Sequence, residues 1–267
     1  MSIKYATTNG IELAYSQHGP QGSSTVIMLH CFCADHKYWR PHIPATAGFH
    51  TICIDVRGHG ASTRTEGPYS LNLLCSDLVG LMDYLNIPQA HIVGVSMGGM
   101  ISQMLTAHHP ERVKSLCLLN TTPIYSEDQK QLWKTRSALV MKHGIKSIKQ
   151  DLLKRWFTDE AIEKKIDGYS YMSSKLDDMH PKSFASITDA MCELNTLEYL
   201  PSFKIPTLVC ASRNDPGVPI ETSKILAAKI KNSKLEWLDP AHHLASLEHV
   251  DVFNKLLKDH LTQQVSG

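Results

Sequence analysis

Gly94-Val95-Ser96-Met97-Gly98-Gly99 follows the short apolar run His91-Ile92-Val93. An apolar strand ending on a serine, with glycine two residues to either side and a helical pattern after it, delivers that serine onto a sharp turn. The chemistry such a turn serves is nucleophilic attack. The backbone there is strained, the hydroxyl points outward, and the glycines let neighbouring backbone press close. The N–H of Met97 opens the helix, where unsatisfied donors and the helix dipole favour an oxyanion. A glycine-rich turn with an incidental serine is the competing reading, so a histidine, an acid and a second oxyanion donor are required.

Two later segments supply the acid and the base. Leu208-Val209-Cys210-Ala211-Ser212 runs into Arg213-Asn214-Asp215-Pro216-Gly217, which places an aspartate on a turn at a strand's carboxyl end. Leu235 to Leu238 leads into Asp239-Pro240-Ala241-His242-His243-Leu244, so a histidine overhangs the same edge. The order Ser96, Asp215, His243 is serine, acid, histidine.

The elements that must hold these residues follow from periodicity. Ile3 to Thr8 and Ile11 to Ser16 flank Asn9-Gly10, a strong hairpin signal. Thr25 to His30, Thr51 to Asp55, His91 to Val95, Val113 to Asn120, Thr207 to Ser212 and Leu235 to Leu238 read as strands buried in a parallel sheet. Helical patterns at Leu71 to Leu85, Met97 to His109, Glu221 to Ile230 and Leu244 to Leu261 separate most of them. Residues 124–200 carry helical spacing and no convincing strand. The reading is one α/β core, residues 1–123 and 201–267, with a helical cap, 124–200, over the carboxyl ends of the strands.

Composition excludes several classes. The 267 residues are 42% hydrophobic and 20% charged with a net charge of +1, which fits a packed enzyme-sized core and no electrostatic recruitment of nucleic acid or an anionic membrane. The basic stretches Lys142 to Arg155 and Lys224 to Lys234 are interleaved with apolar residues and read as solvated helix faces. Seven cysteines, an odd number without a CxxC pair, suit free thiols in a reducing compartment. With no signal-peptide pattern and no membrane-length apolar run, a cytoplasmic protein is expected. Fifteen histidines show no HExxH or finger spacing, so no metal or other cofactor is expected. Oligomeric state leaves no trace.

On these motifs the chain resembles the α/β-hydrolase fold superfamily over essentially its full length. The tail His243-Leu244-Ala245-Ser246-Leu247-Glu248 with Phe253-Asn254, and the loop Asp55-Val56-Arg57-Gly58-His59-Gly60-Ala61-Ser62, carry the likeness. It implies a mostly parallel eight-stranded sheet with an N-terminal antiparallel hairpin, helices on both faces and the inserted cap. It also implies a catalytic set of Ser96, Asp215 and His243, with His242 as the alternative base. The loop His30-Cys31-Phe32-Cys33-Ala34-Asp35-His36 would bring the N–H of Phe32 beside that of Met97 as the oxyanion hole. Many relatives have glycine where this chain has Cys31. Cys31 and Cys33 could also be read as nucleophiles, but neither has the turn context of Ser96.

Within that superfamily, Trp133, Arg136, Val140, Gly144 and Arg155-Trp156-Phe157-Thr158, with Gly168-Tyr169, resemble the cap of 3-oxoadipate enol-lactonases. The implied activity is hydrolysis of a small carboxylic ester or lactone. His30, Trp133, Arg136 and Trp156 are the candidate substrate contacts, with Arg136 or Arg155 facing a carboxylate. A packed cap core with solvated arginines is the competing reading. The oxyanion-side loop also resembles that of cofactor-independent dioxygenases that open 3-hydroxy-4-quinolone rings with a histidine base. Those enzymes have histidine after the elbow serine and an acid after the sixth strand, where this chain has Met97 and Asn120-Thr121-Thr122. A non-catalytic receptor on the same fold is the third reading.

Overall fold

A computed structural model describes residues 2–263. The hairpin β1 (Lys4–Thr8) and β2 (Ile11–His18) turns at Asn9-Gly10, both with positive φ, 46° and 75°. It leads into β3 (Thr25–Leu29), β4 (His50–Ile54), β5 (Ala90–Val95), β6 (Val113–Leu119), β7 (Thr207–Ala211) and β8 (Ser233–Trp237). They form one sheet in the order β1-β2-β4-β3-β5-β6-β7-β8. β1–β2 and β2–β4 are antiparallel, and the remaining pairs are parallel. Every residue of β3, β4, β5 and β7 is buried, which is why these strands read as unbroken apolar runs.

β8 departs from that pattern. It is an edge strand with one neighbour, Ser-Lys-Leu-Glu-Trp in sequence, and it is half-buried rather than enclosed. Lysine and glutamate on such an edge discourage pairing with a further strand.

The connecting helices are α1 (Leu71–Tyr84), α2 (Met97–His108), α3 (Glu127–His143), α4 (Lys149–Trp156), α5 (Asp159–Glu163), α6 (Asp167–Asp177), α7 (Pro181–Cys192), α8 (Ile220–Lys229), α9 (Ala245–Glu248) and α10 (Val250–Gln263). α2 packs on β5 and β6, α8 on β7 and β8, and α1 on α2. The single C-terminal helix read from the sequence is instead broken at His249 (φ −124°, ψ 56°) into α9 and α10. His36–Thr46 carries no helical or strand spacing in the sequence. It is a run of 3-10 turns, in which Pro41 and Pro44 lack the N–H that an α-helix needs.

Helices α3 to α7 all lie between β6 and β7. Ser126 and Gln129 form a reciprocal capping box at the start of α3, and Thr158 caps α5. α3 packs along α7. An antiparallel bridge, Ile124↔Asn195, and the bond from the Thr196 N–H to the Pro123 carbonyl draw the two ends of the segment together. Among the described residues, no helix is long and apolar enough to cross a membrane.

Candidate active site

β5 delivers Ser96 in the left-handed region, φ 53° and ψ −114°, directly before α2. A Cβ on Gly94 would overlap the Gly98 carbonyl, and one on Gly98 would overlap the Leu29 carbonyl. A larger residue at Gly98 would push the turn away from β3, and one at Gly94 would push β5 away from α2. The Ser96 N–H donates to the Leu119 carbonyl at 2.9 Å, and Thr121 Oγ1 donates to the Ser96 carbonyl at 2.8 Å. The strained residue is thus held from its β6 side.

Ser96 Oγ lies 2.8 Å from His243 Nε2, and His243 Nδ1 lies 2.7 Å from Asp215 Oδ2. All three residues are buried, at 6% to 8% exposure. Nδ1 faces a carboxylate, so it carries the proton and leaves Nε2 free to accept one. Asp215 Oδ1 accepts from the N–H groups of Gly217 (2.7 Å) and Val218 (3.0 Å). Burial pushes the Asp215 carboxyl up, but His243 and the donors of Asn120 and Gly217 outweigh it and hold the group below its ordinary 3.8. His242 points elsewhere: its Nδ1 pairs with the Lys154 carbonyl at 3.1 Å, and its N–H donates to Glu248 Oε1 at 2.9 Å.

The loop after β3 begins beside the serine turn, where a Cβ on Gly98 would also meet the His30 carbonyl. Cys33 has φ 65°, and its N–H donates to His59 Nε2 at 3.2 Å. His30 Nδ1 pairs with the Cys31 carbonyl at 2.7 Å, and its Nε2 accepts from the Val56 N–H at 3.0 Å. Burial lowers both imidazoles, His59 to about 3, so each stays neutral and keeps an acceptor nitrogen for its backbone N–H. Among the described residues neither the Phe32 N–H nor the Met97 N–H has an acceptor. Cys31 and Cys33 are buried, and burial raises both thiols far above their ordinary value, which disfavours the thiolate a nucleophile needs.

Residues 24–250 match the family described as alpha/beta hydrolase fold. The chain belongs to the α/β-hydrolase fold family. A 3-oxoadipate enol-lactonase of Acinetobacter baylyi is 32% identical over 93% of this chain and 92% of its own length. A Pseudomonas putida 2-hydroxy-6-oxononadienedioate/2-hydroxy-6-oxononatrienedioate hydrolase is 28% identical over 94% and 92%. The crystal structure of the Burkholderia xenovorans enol-lactonase superposes with a TM-score of 0.93 at 29% identity, covering 97% of this chain and 100% of that one.

In this hydrolase a narrow cavity beside His243 is lined by Tyr125, Gln129, Trp133, Arg136, Arg155 and Trp156, with Leu132, Leu152 and Gly217. Trp133, Arg136 and Trp156 are therefore brought to the cavity, whereas His30, directly after β3, is fully buried with both ring nitrogens engaged. Arg136 pairs with Asp151 at 2.5 Å and stacks over the Trp133 ring at 5.2 Å. The rings of Phe32, Trp133 and Phe184 pack together, with Phe32 and Phe184 centroids 4.6 Å apart. Tyr125 carries no motif in the sequence, and Gln129 carries only the capping-box signature of a helix start. Only the folding of the segment after β6 over His243 reveals them. A larger groove of about 970 Å³ between the His36–Thr46 turns, α6 and α10 contains none of the candidate residues.

The histidine loop is stitched to the segment above it. The Leu244 N–H donates to the Trp156 carbonyl at 3.0 Å, and Thr158 donates to Glu248 Oε2 through its N–H at 3.2 Å and its hydroxyl at 2.5 Å. Glu248 thereby joins the His242 backbone to the start of α5.

Asp35, His36 and Asp55 place their potential ligand atoms within 4.8 Å of one another. Their acceptors are already used. Asp35 takes the Lys37 N–H and the Tyr171 hydroxyl and faces Lys175 Nζ at 3.2 Å, while Asp55 takes both His36 donors and the Ala61 N–H. A divalent ion would have to displace an ammonium and several backbone donors, so this set does not fit one.

Proposed function

We propose that this hydrolase cleaves a small carboxylic ester or lactone through an acyl-enzyme on Ser96, and that residues 124–200 form a cap that binds a carboxylate on the substrate. The observation that carries the reading is the continuous hydrogen-bond chain from Asp215 through His243 to Ser96 Oγ. His243 Nε2 takes the hydroxyl proton as Oγ attacks the carbonyl carbon, and Asp215 stabilises the imidazolium. The Phe32 and Met97 N–H groups receive the oxyanion. On collapse the C–O bond to the leaving group breaks, and His243 returns the proton to that oxygen. In a lactone the leaving group stays tethered to the acyl chain. Water, deprotonated by His243, then releases the acid.

The charge of the cavity supports the carboxylate. The lowering of Arg155 comes first from burial and next from Arg136, so the two guanidiniums repel each other. Asp151, at 58% exposure, pairs with Arg136, and the charges of Asp151 and of Asp215, which is already engaged by His243, reach Arg155. A substrate anion would ease the repulsion between the guanidiniums, and the substrates named for two of the relatives, the enol-lactone of a dicarboxylic acid and a dienedioate or trienedioate, carry such an anion. The seven free cysteines support a reducing compartment.

Matched carboxylated and neutral lactones, and a neutral aryl ester, test the reading. Ser96→Ala is expected to lower turnover roughly 10⁴-fold or more on all of them. Arg136→Leu is expected to raise KM about tenfold for the carboxylated lactone and leave the aryl ester unchanged. Equal rates on the carboxylated and neutral lactones would remove the carboxylate. Turnover surviving Ser96→Ala would remove the nucleophile, and oxygen-dependent cleavage of a 3-hydroxy-4-quinolone would install the dioxygenase reading in its place.

A further inference from the structure

Between β5, which carries Ser96, and β7, which leads to Asp215, lies β6, and the residues at its end touch both. Leu119 and Thr121 bind the Ser96 backbone. Asn120 binds the other side. Its N–H donates to the Cys210 carbonyl at 2.9 Å, and its side-chain Nδ2 donates to Asp215 Oδ2 at 3.0 Å. That oxygen is the one facing His243 Nδ1. We propose that Asn120 is a positioning residue, whose amide fixes the Asp215 carboxylate and sets how strongly that carboxylate pulls on the His243 proton. The role rests on the serine-hydrolase reading above.

Three features of Asn120 support a role beyond filling space. Its φ is 39°, a conformation that asparagine tolerates better than most residues. Its Oδ1 is buried with no hydrogen-bond partner, a state that an apolar residue there would avoid. Turning the amide over would set that oxygen against the Asp215 carboxylate, so the carboxylate itself fixes which end of the amide faces it. With Asn120 in place, Asp215 accepts four donors, two on each oxygen. The Asn120 bond is also among the contacts that keep the Asp215 carboxyl ionised.

The sign of the effect follows from sharing. An oxygen that accepts from both Asn120 and His243 spreads its charge over two donors. Removing the amide concentrates that charge on the His243 N–H, and His243 then holds its second proton to higher pH. The other charged or titratable groups felt here are Tyr125, from the segment after β6, Arg136 on α3 and Arg155 on α4. None of them is altered by a change at Asn120.

The test is the pH profile of ester hydrolysis by the whole protein carrying Asn120→Gly, which keeps the backbone conformation, or Asn120→Asp, which keeps the shape. Asn120→Gly is expected to lower kcat roughly tenfold with KM within about twofold, and to move the acid limb of kcat/KM to higher pH. Asn120→Asp sets a second carboxylate beside the first and is expected to move that limb further, by about one unit or more. The far-downfield proton resonance of the His243–Asp215 bond is expected to shift in both variants, independently of turnover. An unmoved acid limb together with an unmoved resonance, even with a lower Tm, would overturn the role and leave Asn120 structural. Should Asn120→Gly fail to fold, Asn120→Asp carries the same test. A parallel Ser96→Ala control separates the two claims. Turnover that does not need Ser96 defeats the hydrolase reading, whereas Ser96-dependent turnover with an unmoved limb defeats only the role of Asn120.

Discussion

Burial pushes the Tyr125 hydroxyl well above its ordinary value, and the Asp215 charge adds to the shift, while the Trp133 indole N–H opposes it at the hydroxyl oxygen. A phenol so placed stays protonated across the working pH range and can donate to a substrate oxygen beside His243. Tyr125→Phe is expected to raise KM about fivefold for a lactone bearing a further carbonyl, with no change for a plain aryl ester, as measured by initial rates on the pair. Tyr125 and Asn120 were illegible in the sequence because each acts through convergence. One reaches His243 from the segment after β6, and the other reaches an acid 95 positions later. Ser96, Asp215 and His243 were legible because a strand end, a turn and a tail motif each mark them locally. His30 shows the complementary ambiguity: a histidine after β3 looks alike in sequence whether it faces the cavity or, as its two engaged ring nitrogens indicate, props up the backbone.

The His243 loop and the segment above it form one hydrogen-bonded joint, in which Glu248 is the pivot. Glu248→Ala removes both of its carboxylate oxygens from this joint and is expected to lower kcat by about tenfold and stability by about 1–3 kcal/mol, followed by denaturant titration beside kinetics. An unaltered kcat would show that His243 is held well enough by Asp215 alone. The same scale explains which elements could be read in advance. β3, β5 and β7 are enclosed on both faces and announce themselves as apolar runs, whereas β8, a charged edge, does so only weakly. The His36–Thr46 turns have no 3.6-residue stripe to detect, since their prolines interrupt the pattern.

Across the molecule, several histidines are buried in the neutral form, and this ties stability to pH. Burial lowers His42 to about 4, His59 to about 3 and His91 to about 4, against 6.5 for an unconstrained imidazole. Below pH 6.5 the unfolded chain binds protons that the folded chain refuses, so stability is complete above that value and falls as pH drops toward 4. Each group contributes on the order of 1 kcal/mol per pH unit within its window. The urea midpoint is expected to be markedly lower at pH 5 than at pH 7, and equal midpoints would contradict neutral burial. The thiols are distributed just as unevenly. Six of the seven cysteines are buried, and Cys192, at the end of α7, is partly exposed. Cys192 donates to the Lys130 carbonyl at 3.8 Å and partial burial raises its thiol, so a thiol-reactive fluorophore is expected to couple slowly, and to one equivalent per folded molecule. That dye would sit on the helix whose Phe184 packs against Phe32, where it could report occupancy of the cavity without any engineered residue.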